Sequence, residues 1–421
     1  MYANLNQEAL RAEKEKISCV YEEYRQKKLK LNMSRGVPGA DQFDLSEELL
    51  TAVPHSEACF VSGTDTRSYG LLEGLPEARA LMAEILGVAP SDVIVGGSSS
   101  LNLMYDMISR AMTHGICGQP SWSSQGTVKF ICPAPGYDRH FSICQHFGIE
   151  MLPVAMTPQG PDMDAVEALV KDPTVKGMWC VPKYSNPTGI VFSDDTVRRI
   201  AALNPAATDF RIFWDNAYVV HSLYDVDESL CNIYEAAKAA GHPELVIQFA
   251  STSKITFAGG GISAVAAGPE TLANIKKSLF FQAICYDKVN QLRHVRFLKN
   301  LDGVRAHMRR HSAILRPKFE MVDQILTRKL SGLASWTTPR GGYFVSLDVM
   351  PGTAKRTIAL MQDAGVAMTP AGATWPYGKD PEDKNIRIAP TVPPLFELET
   401  AMELLCVCAK LACLEKMTSA K

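Results

Sequence analysis

The chain alternates between two periods of apolar and polar residues, and these periods predict an ordered series of helices and strands. Ile17, Val20 and Tyr21 recur at helical spacing among charged residues, so the stretch 7–30 predicts a helix. The following segment, 31–44, contains two glycines and a proline, which interrupt that period. We therefore expect a loop there.

The central part of the chain alternates strand-length apolar runs with amphipathic helical stretches. Pro76 begins one such helix and Gly87 follows its last residue, which is the usual placement of these two residue types. Another helix is predicted over 101–113. The strand-length runs are 93–95, 128–132, 150–155, 176–181, 210–214, 246–249 and 262–267. This order predicts βαβ units, and with them an α/β fold in which a mostly parallel sheet lies between helices.

The pattern changes after about residue 300. A long polar helix is predicted over 303–330, a strand region over 336–347 and a terminal helix over 398–416. We therefore expect two domains. Residues 1–50 and 300–421 form a small α+β domain from both chain ends, and residues 51–299 form the large domain that contains the sheet.

The charge balance excludes some classes of partner. The 421 residues include 43 Lys plus Arg and 45 Asp plus Glu, for a net charge of −2. A polyanion-binding protein normally carries a basic excess, so nucleic acid is not an expected partner. The chain has no apolar targeting segment near its N-terminus and no apolar run of ~18 residues. We expect a cytoplasmic protein that does not bind membranes.

The eleven cysteines are scattered along the chain, and none has the C-x-x-C spacing of zinc sites or thioredoxin-like redox sites. We therefore expect no metal centre. Free thiols are typical of proteins in reducing compartments.

Polar and glycine-rich motifs follow the predicted strands, at the point where each strand ends. Ligands of open parallel sheets bind at that edge, beyond the carboxyl ends of the strands. A single Asn-Pro or Gly-Ser motif is usually only a turn, but this ordered set predicts one ligand site. The motifs are GGSSS at 96–100, PAPGYDRH at 133–140, SNPTG at 185–189, DNAY at 215–218, STSK at 251–254 and GGG at 259–261.

This ordered set resembles the class I aminotransferases, which are fold-type-I enzymes that use pyridoxal 5′-phosphate (PLP). The stretches LNMSRGVPGADQFDLS and KVNQLRHVRF further resemble a bacterial subgroup of aspartate aminotransferases. The similarity spans residues 31–390. It implies a large PLP-binding domain with a mostly parallel seven-stranded sheet, and a smaller α+β domain. It also implies transfer of an amino group between a dicarboxylic amino acid, aspartate above all, and a 2-oxo acid such as 2-oxoglutarate.

The resemblance assigns the catalytic positions. Lys254 matches the lysine that attaches covalently to the cofactor aldehyde and moves a proton, chemistry that a surface lysine would not perform. Asp215 ends an apolar strand, where a carboxylate needs a partner; a protonated pyridine nitrogen would supply one, and a helix N-cap is the alternative. Tyr218 and Asn186 resemble the pair that bonds the cofactor phenolate oxygen.

Further cofactor contacts follow from the same resemblance. Tyr137 matches the aromatic ring that stacks on the pyridine, and His140 matches the residue that holds the aspartate; simple packing is the alternative for both. Tyr69 resembles the tyrosine that reaches the phosphate of a neighbouring subunit, which implies a homodimer. The serines that resemble phosphate ligands are Ser98, Ser99, Ser100, Ser251 and Ser253, with ordinary helix capping as the alternative for the first three.

One position departs from the family pattern. Many members carry an arginine eight residues after the lysine, where it pairs with the phosphate, and here that position is Ile262. We expect serines, backbone N–H groups and a basic residue elsewhere to hold the phosphate instead.

One substrate position is inferred from the resemblance, and a second from the residues themselves. Arg387 resembles the arginine that binds the substrate α-carboxylate through a bidentate fork, and Asn186 is a further candidate for substrate binding. A dicarboxylic substrate needs a second reader, and Arg35, beside Gly36 in the SRGVPG loop, is the first candidate. A structural ion pair is the alternative for each arginine. The second group of candidates, which could project from a partner subunit, is Lys288, Gln291 and Arg293.

Two other functions share parts of this pattern. A PLP-dependent lyase or decarboxylase would keep the cofactor residues and change the substrate wall. A non-catalytic PLP-binding transcription regulator would need a winged helix-turn-helix before the cofactor domain. Only about 30 residues precede the first cofactor-domain loop here, which is too few for such a module.

Overall fold

The computed structural model describes residues 2, 4–226 and 228–419, so the outermost residues of the predicted small domain lie outside the described chain. Its α-helices are α1 Gln7–Gln26, α2 Ala40–Asp44, α3 Pro76–Leu86, α4 Ser100–His114, α5 Asp138–His146, α6 Met163–Leu169, α7 Asp194–Ala201, α8 Ile233–Ala239, α9 Pro269–Gln282, α10 Lys288–Leu298, α11 Leu301–Leu330, α12 Ala354–Asp363 and α13 Leu395–Ser419.

The strands of the described chain form one large sheet and three small ones. They are β1 Leu31–Asn32, β2 Phe60–Val61, β3 Thr64–Asp65, β4 Val93–Val95, β5 Lys129–Ala134, β6 Glu150–Thr157, β7 Gly160–Pro161, β8 Val175–Cys180, β9 Arg211–Asp215, β10 Val246–Ser251, β11 Ser263–Ala267, β12 Ser335–Trp336, β13 Val345–Asp348, β14 Val366–Ala367 and β15 Asn385–Ile388.

The large sheet has the order β4-β11-β10-β9-β8-β5-β6-β7. The strands β10, β9, β8, β5 and β6 are parallel neighbours, whereas β11 runs antiparallel to both β10 and β4. The seven predicted strands are all present. The eighth, β7, has only two residues and pairs antiparallel with β6, so it was too short to predict from the pattern.

Helices cover both faces of this sheet, which is why its strands are apolar throughout. Phe213 packs in the layer that contains α4, α5 and α9, whereas its neighbours Ile212 and Trp214 pack in the opposite layer with α6, α7 and α8. Alternate residues of a strand point to opposite faces, so an all-apolar strand is buried on both sides. The predicted α/β class is confirmed.

The chain ends pack around a second core. It combines α1, α12 and α13 with the sheet β12-β13-β15. The long helix α11 contributes to both cores, because Val304 and Met308 pack beside α3, whereas Leu315 to Leu330 pack in the second core. The change of packing therefore falls inside this helix.

Two expectations for the first 90 residues can be compared with the structure. The helix Pro76–Leu86 is confirmed, and Gly87 ends it with a φ of 68°. The predicted loop at 31–44 is wrong in part, because β1 and α2 lie within it. Strand β1 pairs with β14, more than 330 residues along the chain, and a local pattern does not reveal such a partner.

None of the described helices is long and apolar enough to cross a membrane. Within the described residues, no group of three or more His, Cys, Asp and Glu side chains is arranged to hold a metal ion.

Candidate active site

Most of the predicted cofactor residues follow strands that end at one edge of the large sheet. Strands β4, β5, β8, β9 and β10 run in the same direction, so their carboxyl ends share this edge. The motifs follow those ends in turn. The residues placed there are Ser98 to Ser100, Tyr137, His140, Asn186, Asp215, Tyr218, Ser251, Ser253 and Lys254.

Asp215 ends β9 and forms a buried pair with His140. His140 Nε2 lies 3.2 Å from Asp215 Oδ2, and each side chain exposes 2% of its surface. Trp179 stacks on the imidazole at 4.3 Å between ring centroids, with the planes 10° apart, and fixes its orientation. Asp215 Oδ1 is buried and has no hydrogen-bond partner among the described residues.

That open carboxylate oxygen tests whether the residues fit the expected cofactor. Leaving a buried polar atom without a partner costs about 1–3 kcal/mol, and more for a charged group. A protonated pyridine nitrogen would provide both the missing donor and the opposite charge. This open acceptor therefore fits the protonated ring nitrogen of PLP.

Lys254 lies in the turn after β10, close to Tyr218. Its Nζ is 5.1 Å from the centroid of the Tyr218 ring. Burial lowers the pKa of the Lys254 amine, and the charge of Asp215 opposes this effect. A lower pKa leaves more of the amine neutral, which is the nucleophilic form. Burial also raises the pKa of Tyr218 well above its ordinary value, so this phenol stays protonated.

Two side chains contact the backbone carbonyl group of Lys254 and hold it in place. Its carbonyl oxygen lies 3.2 Å from both His221 Nε2 and the Tyr343 hydroxyl. Gln42 Nε2 donates to the same hydroxyl at 3.0 Å. The sequence analysis did not single out these residues. His221 and Tyr343 lie outside the quoted motifs, and Gln42, although it lies in the stretch LNMSRGVPGADQFDLS, was given no role there.

Tyr137 lies directly before α5 and faces His140 edge-on at 4.9 Å between ring centroids. Burial raises the pKa of its phenol, and the charges of Asp215 and Asp138 add to the effect. The ring therefore lies beside the aspartate–histidine pair.

The predicted phosphate serines form two neighbouring groups. Ser99 caps α4 by accepting from Leu101 N at 3.2 Å, and Ser251 and Ser253 join their hydroxyls at 2.8 Å. Ser263 pairs with Ser251 in the sheet and donates its hydroxyl to Gly97 O at 2.8 Å, which brings the two groups together. The free N–H groups of a helix N-terminus favour an anion at this place.

Ile262 lies outside this polar region. It is 2% exposed and packs in the apolar core with Val93, Val95 and Ile255. An arginine here would have to bury its charge in that core, so the chain's departure from the family pattern has a packing reason.

Arg387 lies on β15 and is 7% exposed. Its Nη1 donates to Asp138 Oδ1 at 2.7 Å and to Asn186 Oδ1 at 3.2 Å, and its Nη2 donates to Thr369 Oγ1 at 3.2 Å. The guanidinium lies 4.8 Å from the centroid of the Phe344 ring. Its Nε is buried and has no partner among the described residues. The contacts with Asp138, Thr369 and Phe344 were not predicted.

The SRGVPG loop lies against this arginine. A Cβ atom on Gly36 would lie 2.2 Å from Phe344 Cζ, so only glycine fits beside that ring. Ser34 O accepts a hydrogen bond from Thr369 at 2.9 Å. Arg35, between these two residues, has an exposed side chain.

Lys288 and Gln291 have structural positions instead of the predicted one. Lys288 is 2% exposed and donates to Ser68 O at 2.6 Å and to Gly70 O at 2.9 Å. Gln291 is fully buried and accepts from Leu75 N at 2.8 Å. The prediction that they project towards a partner's substrate is wrong, because both side chains are used inside their own chain. Arg293 remains a prediction.

Tyr69 lies between the two carbonyl groups that Lys288 holds. Its backbone is thereby fixed, yet its side chain is 79% exposed.

Comparisons with known proteins show the class to which the chain belongs. Together with the architecture, they identify it as a PLP-dependent aminotransferase of fold type I. Within that class, the chain belongs to the family described as aspartate amino-transferase, which matches residues 5–421.

Individual relatives are similar over nearly their whole length. The chain is 49% identical to an aminotransferase of Mycolicibacterium smegmatis, with 100% of both chains covered. It is 47% identical to the aspartate aminotransferase of Corynebacterium glutamicum, covering 95% of this chain and 94% of that protein. A crystal structure of an aspartate transaminase from C. glutamicum superposes with a TM-score of 0.95 at 46% identity, covering 98% of each chain.

Proposed function

We propose that this aminotransferase takes its amino group from aspartate and passes it to a 2-oxo acid such as 2-oxoglutarate. The observation that supports this proposal is the buried Arg387 guanidinium, which donates to Asn186 through Nη1 and keeps an unpartnered Nε donor. Such a group binds a carboxylate through a charge-assisted fork. The relative from C. glutamicum, which is named as an aspartate aminotransferase, supports aspartate as the donor.

Each side chain at the sheet edge has a different role towards the cofactor. PLP supplies an aldehyde and a ring that accepts electrons from the substrate Cα. Asp215 would hold the ring nitrogen protonated, and His140 with Trp179 keeps that carboxylate in place. Tyr137 would stack on the cofactor ring. Tyr218 would donate a hydrogen bond to the cofactor as a neutral phenol, since burial raises the pKa of Tyr218.

Lys254 would both hold the cofactor and move the substrate proton. Its amine is the group that would attach to PLP, and the same amine, when free, would take the proton from the substrate Cα and later give it up. The lowered pKa of Lys254 suits it to taking that proton, because a neutral amine is a base.

Different side chains bind the α-carboxylate and the distal carboxylate of the substrate. Arg387 and Asn186 hold the α-carboxylate, and Phe344 and Gly36 form the wall beside it. Arg35, exposed at the mouth of the site, reads the distal carboxylate. Held in this way, the α-carboxylate is not free to leave as carbon dioxide, which favours transamination over decarboxylation.

The active unit is a homodimer in this proposal, with Tyr69 reaching the phosphate of the partner subunit. Tyr69 is 79% exposed, although it lies in a segment that Lys288 holds. Three further large apolar side chains are exposed just before Lys288: Phe280 at 75%, Phe281 at 83% and Ile284 at 64%. A cluster of exposed aromatic residues is typical of an interface.

Two further parts of the proposal concern organisation and location. The small α+β domain comprises residues 1–50 and 300–421, and the large PLP-binding domain comprises residues 51–299. The second core at the chain ends supports this division, although the start of α11, with Val304 and Met308, packs beside α3 of the large domain. A cytoplasmic location is supported by the eleven cysteines, all of which are free thiols.

A panel of amino acids tests the proposed donor. Each is added to the PLP-loaded enzyme, and the conversion of the aldehyde form of the cofactor to its amine form is followed by absorbance. We expect aspartate and glutamate to convert the cofactor at the lowest concentrations, and 2-oxoglutarate to reverse the change. Preferred conversion by an amino acid without a second carboxylate would reject aspartate as the donor. Release of carbon dioxide or ammonia would indicate a decarboxylase or a lyase.

A further inference from the structure

Asp138 contacts the arginine that is assigned to the substrate. Its Oδ1 accepts from Arg387 Nη1 at 2.7 Å, a shorter distance than either of the arginine's other two hydrogen bonds. Arg387 is 7% exposed at its side chain and Asp138 is 32% exposed, so water screens the pair only in part. A carboxylate of the chain itself therefore lies where a substrate carboxylate is expected.

The donors of the guanidinium show how the two carboxylates compete. Each terminal nitrogen of an arginine carries two hydrogens, and both hydrogens of Nη1 have acceptors here, namely Asp138 and Asn186. A carboxylate that binds across the two terminal nitrogens must displace one of them. A carboxylate that binds at the open Nε would lie on the same cation as Asp138, and like charges at such a distance repel.

Asp138 can leave the arginine at little cost. It is the first residue of α5, and a helix N-terminus has free N–H groups and a positive dipole end that stabilise a carboxylate. About a third of its side chain already contacts water. Asn186, by contrast, is 4% exposed, so its side chain has less room to move.

We propose that Asp138 is a specificity-determining residue that competes with the substrate carboxylate for Arg387 and thereby weakens the binding of amino acids and oxo acids. In the resting enzyme it neutralises the buried guanidinium. When substrate binds, the Asp138 carboxylate swings towards the N-terminus of α5, and the substrate takes its place. This inference rests on the proposed function, because Arg387 is taken to bind the substrate.

The test measures how tightly a non-reacting dicarboxylate binds. Succinate is titrated into the PLP-loaded enzyme by isothermal calorimetry, for the unmodified protein and for Asp138→Asn. We expect the variant to bind succinate about tenfold more tightly, which corresponds to about 1.4 kcal/mol. The KM for 2-oxoglutarate should fall in parallel, with kcat unchanged or lower. If Asp138 only positioned the arginine, the variant would bind succinate more weakly and its KM would rise.

Two further variants separate the possible failures. Asp164→Asn is the matched control, because Asp164 forms a comparably short contact of 2.6 Å with Arg199 Nη2 on the surface; its succinate affinity should not change. Arg387→Ala should abolish succinate binding. If it does so while Asp138→Asn binds no more tightly than the unmodified enzyme, the competition is overturned and the role of Arg387 stands. If Arg387→Ala binds succinate normally, Arg387 is not the carboxylate site and both proposals fail.

Discussion

His140 Nε2 lies 3.2 Å from Asp215 Oδ2, and both side chains are almost completely buried. The two residues are 75 positions apart in the chain and meet because β5 and β9 both end at the same edge of the sheet. The contact leaves Asp215 Oδ1 without a partner among the described residues. The protein therefore keeps a buried carboxylate with one unpartnered oxygen. A cationic ring donor would offset the free-energy cost of burying that oxygen without a partner.

Replacing Asp215 by Asn should weaken cofactor binding without destabilising the cofactor-free protein, because the remaining amide oxygen can keep the His140 contact and the open oxygen makes no contact to lose. The rate of the loaded enzyme should fall by roughly 10²–10⁴-fold, the range for one positioned catalytic group. PLP affinity is measured by the rise in melting temperature that added PLP produces.

Asp209→Asn is the control for this variant. Asp209 is also a buried carboxylate, but Lys176 donates to it at 2.8 Å. Breaking that pair should cost about 3–5 kcal/mol of stability and leave PLP affinity unchanged. If both variants lost PLP affinity equally, Asp215 would have no special role towards the cofactor.

Replacing Lys254 by Ala should give a folded protein that binds PLP only non-covalently, because the amine beside Tyr218 is absent. Borohydride reduction followed by peptide mapping checks this directly. In the unmodified enzyme the reduced label should be on the peptide that contains Lys254, and in the variant no specific label should remain. A label on a different lysine in the unmodified enzyme would exclude Lys254 as the attachment site.

Arg35→Ala should reduce kcat/KM for aspartate by roughly tenfold to a hundredfold, because a lost charge-assisted hydrogen bond costs about 1.5–3 kcal/mol. Alanine, which lacks the distal carboxylate, should be affected far less. The exposed Lys30, just before the same loop, provides the control Lys30→Ala, which should change neither value. Equal losses for aspartate and alanine would remove Arg35 from the substrate wall and leave Arg293 as the next candidate.

Acid should destabilise the protein partly through His294. This side chain is fully buried between Thr256 and Asn290, and burial lowers its pKa to about 4. Below the ordinary histidine pKa of about 6.5, the unfolded chain takes up a proton that the folded chain does not, so stability falls as the pH falls. The loss should be about 2 kcal/mol between pH 7 and pH 5.

The comparison for this pH effect is His294→Gln in urea unfolding at both pH values. Glutamine does not titrate, so the stability deficit of the variant should narrow by the same amount as the pH is lowered. Parallel pH dependences of the two proteins would show that His294 does not contribute.

The sequence by itself determined the local elements and their order. Pro76 and Gly87 mark the ends of α3 because each residue type has a backbone preference that acts within one turn. The strand runs are continuous apolar stretches because both faces of the sheet are covered. Each strand can therefore be recognised from its own sequence. The polar motifs, including those with Asp215 and Lys254, could be found because they follow these apolar runs in the sequence.

Only the tertiary structure decided which side chains meet around the substrate arginine and which are buried elsewhere. Arg387 is 249 residues from Asp138 along the chain, and no local period relates the two. Lys288 was a candidate for binding the distal carboxylate because its stretch follows the cofactor domain, yet it holds the backbone around Tyr69. Packing between distant segments decides such contacts, because the burial of each side chain depends on residues that are remote in sequence and adjacent only after folding.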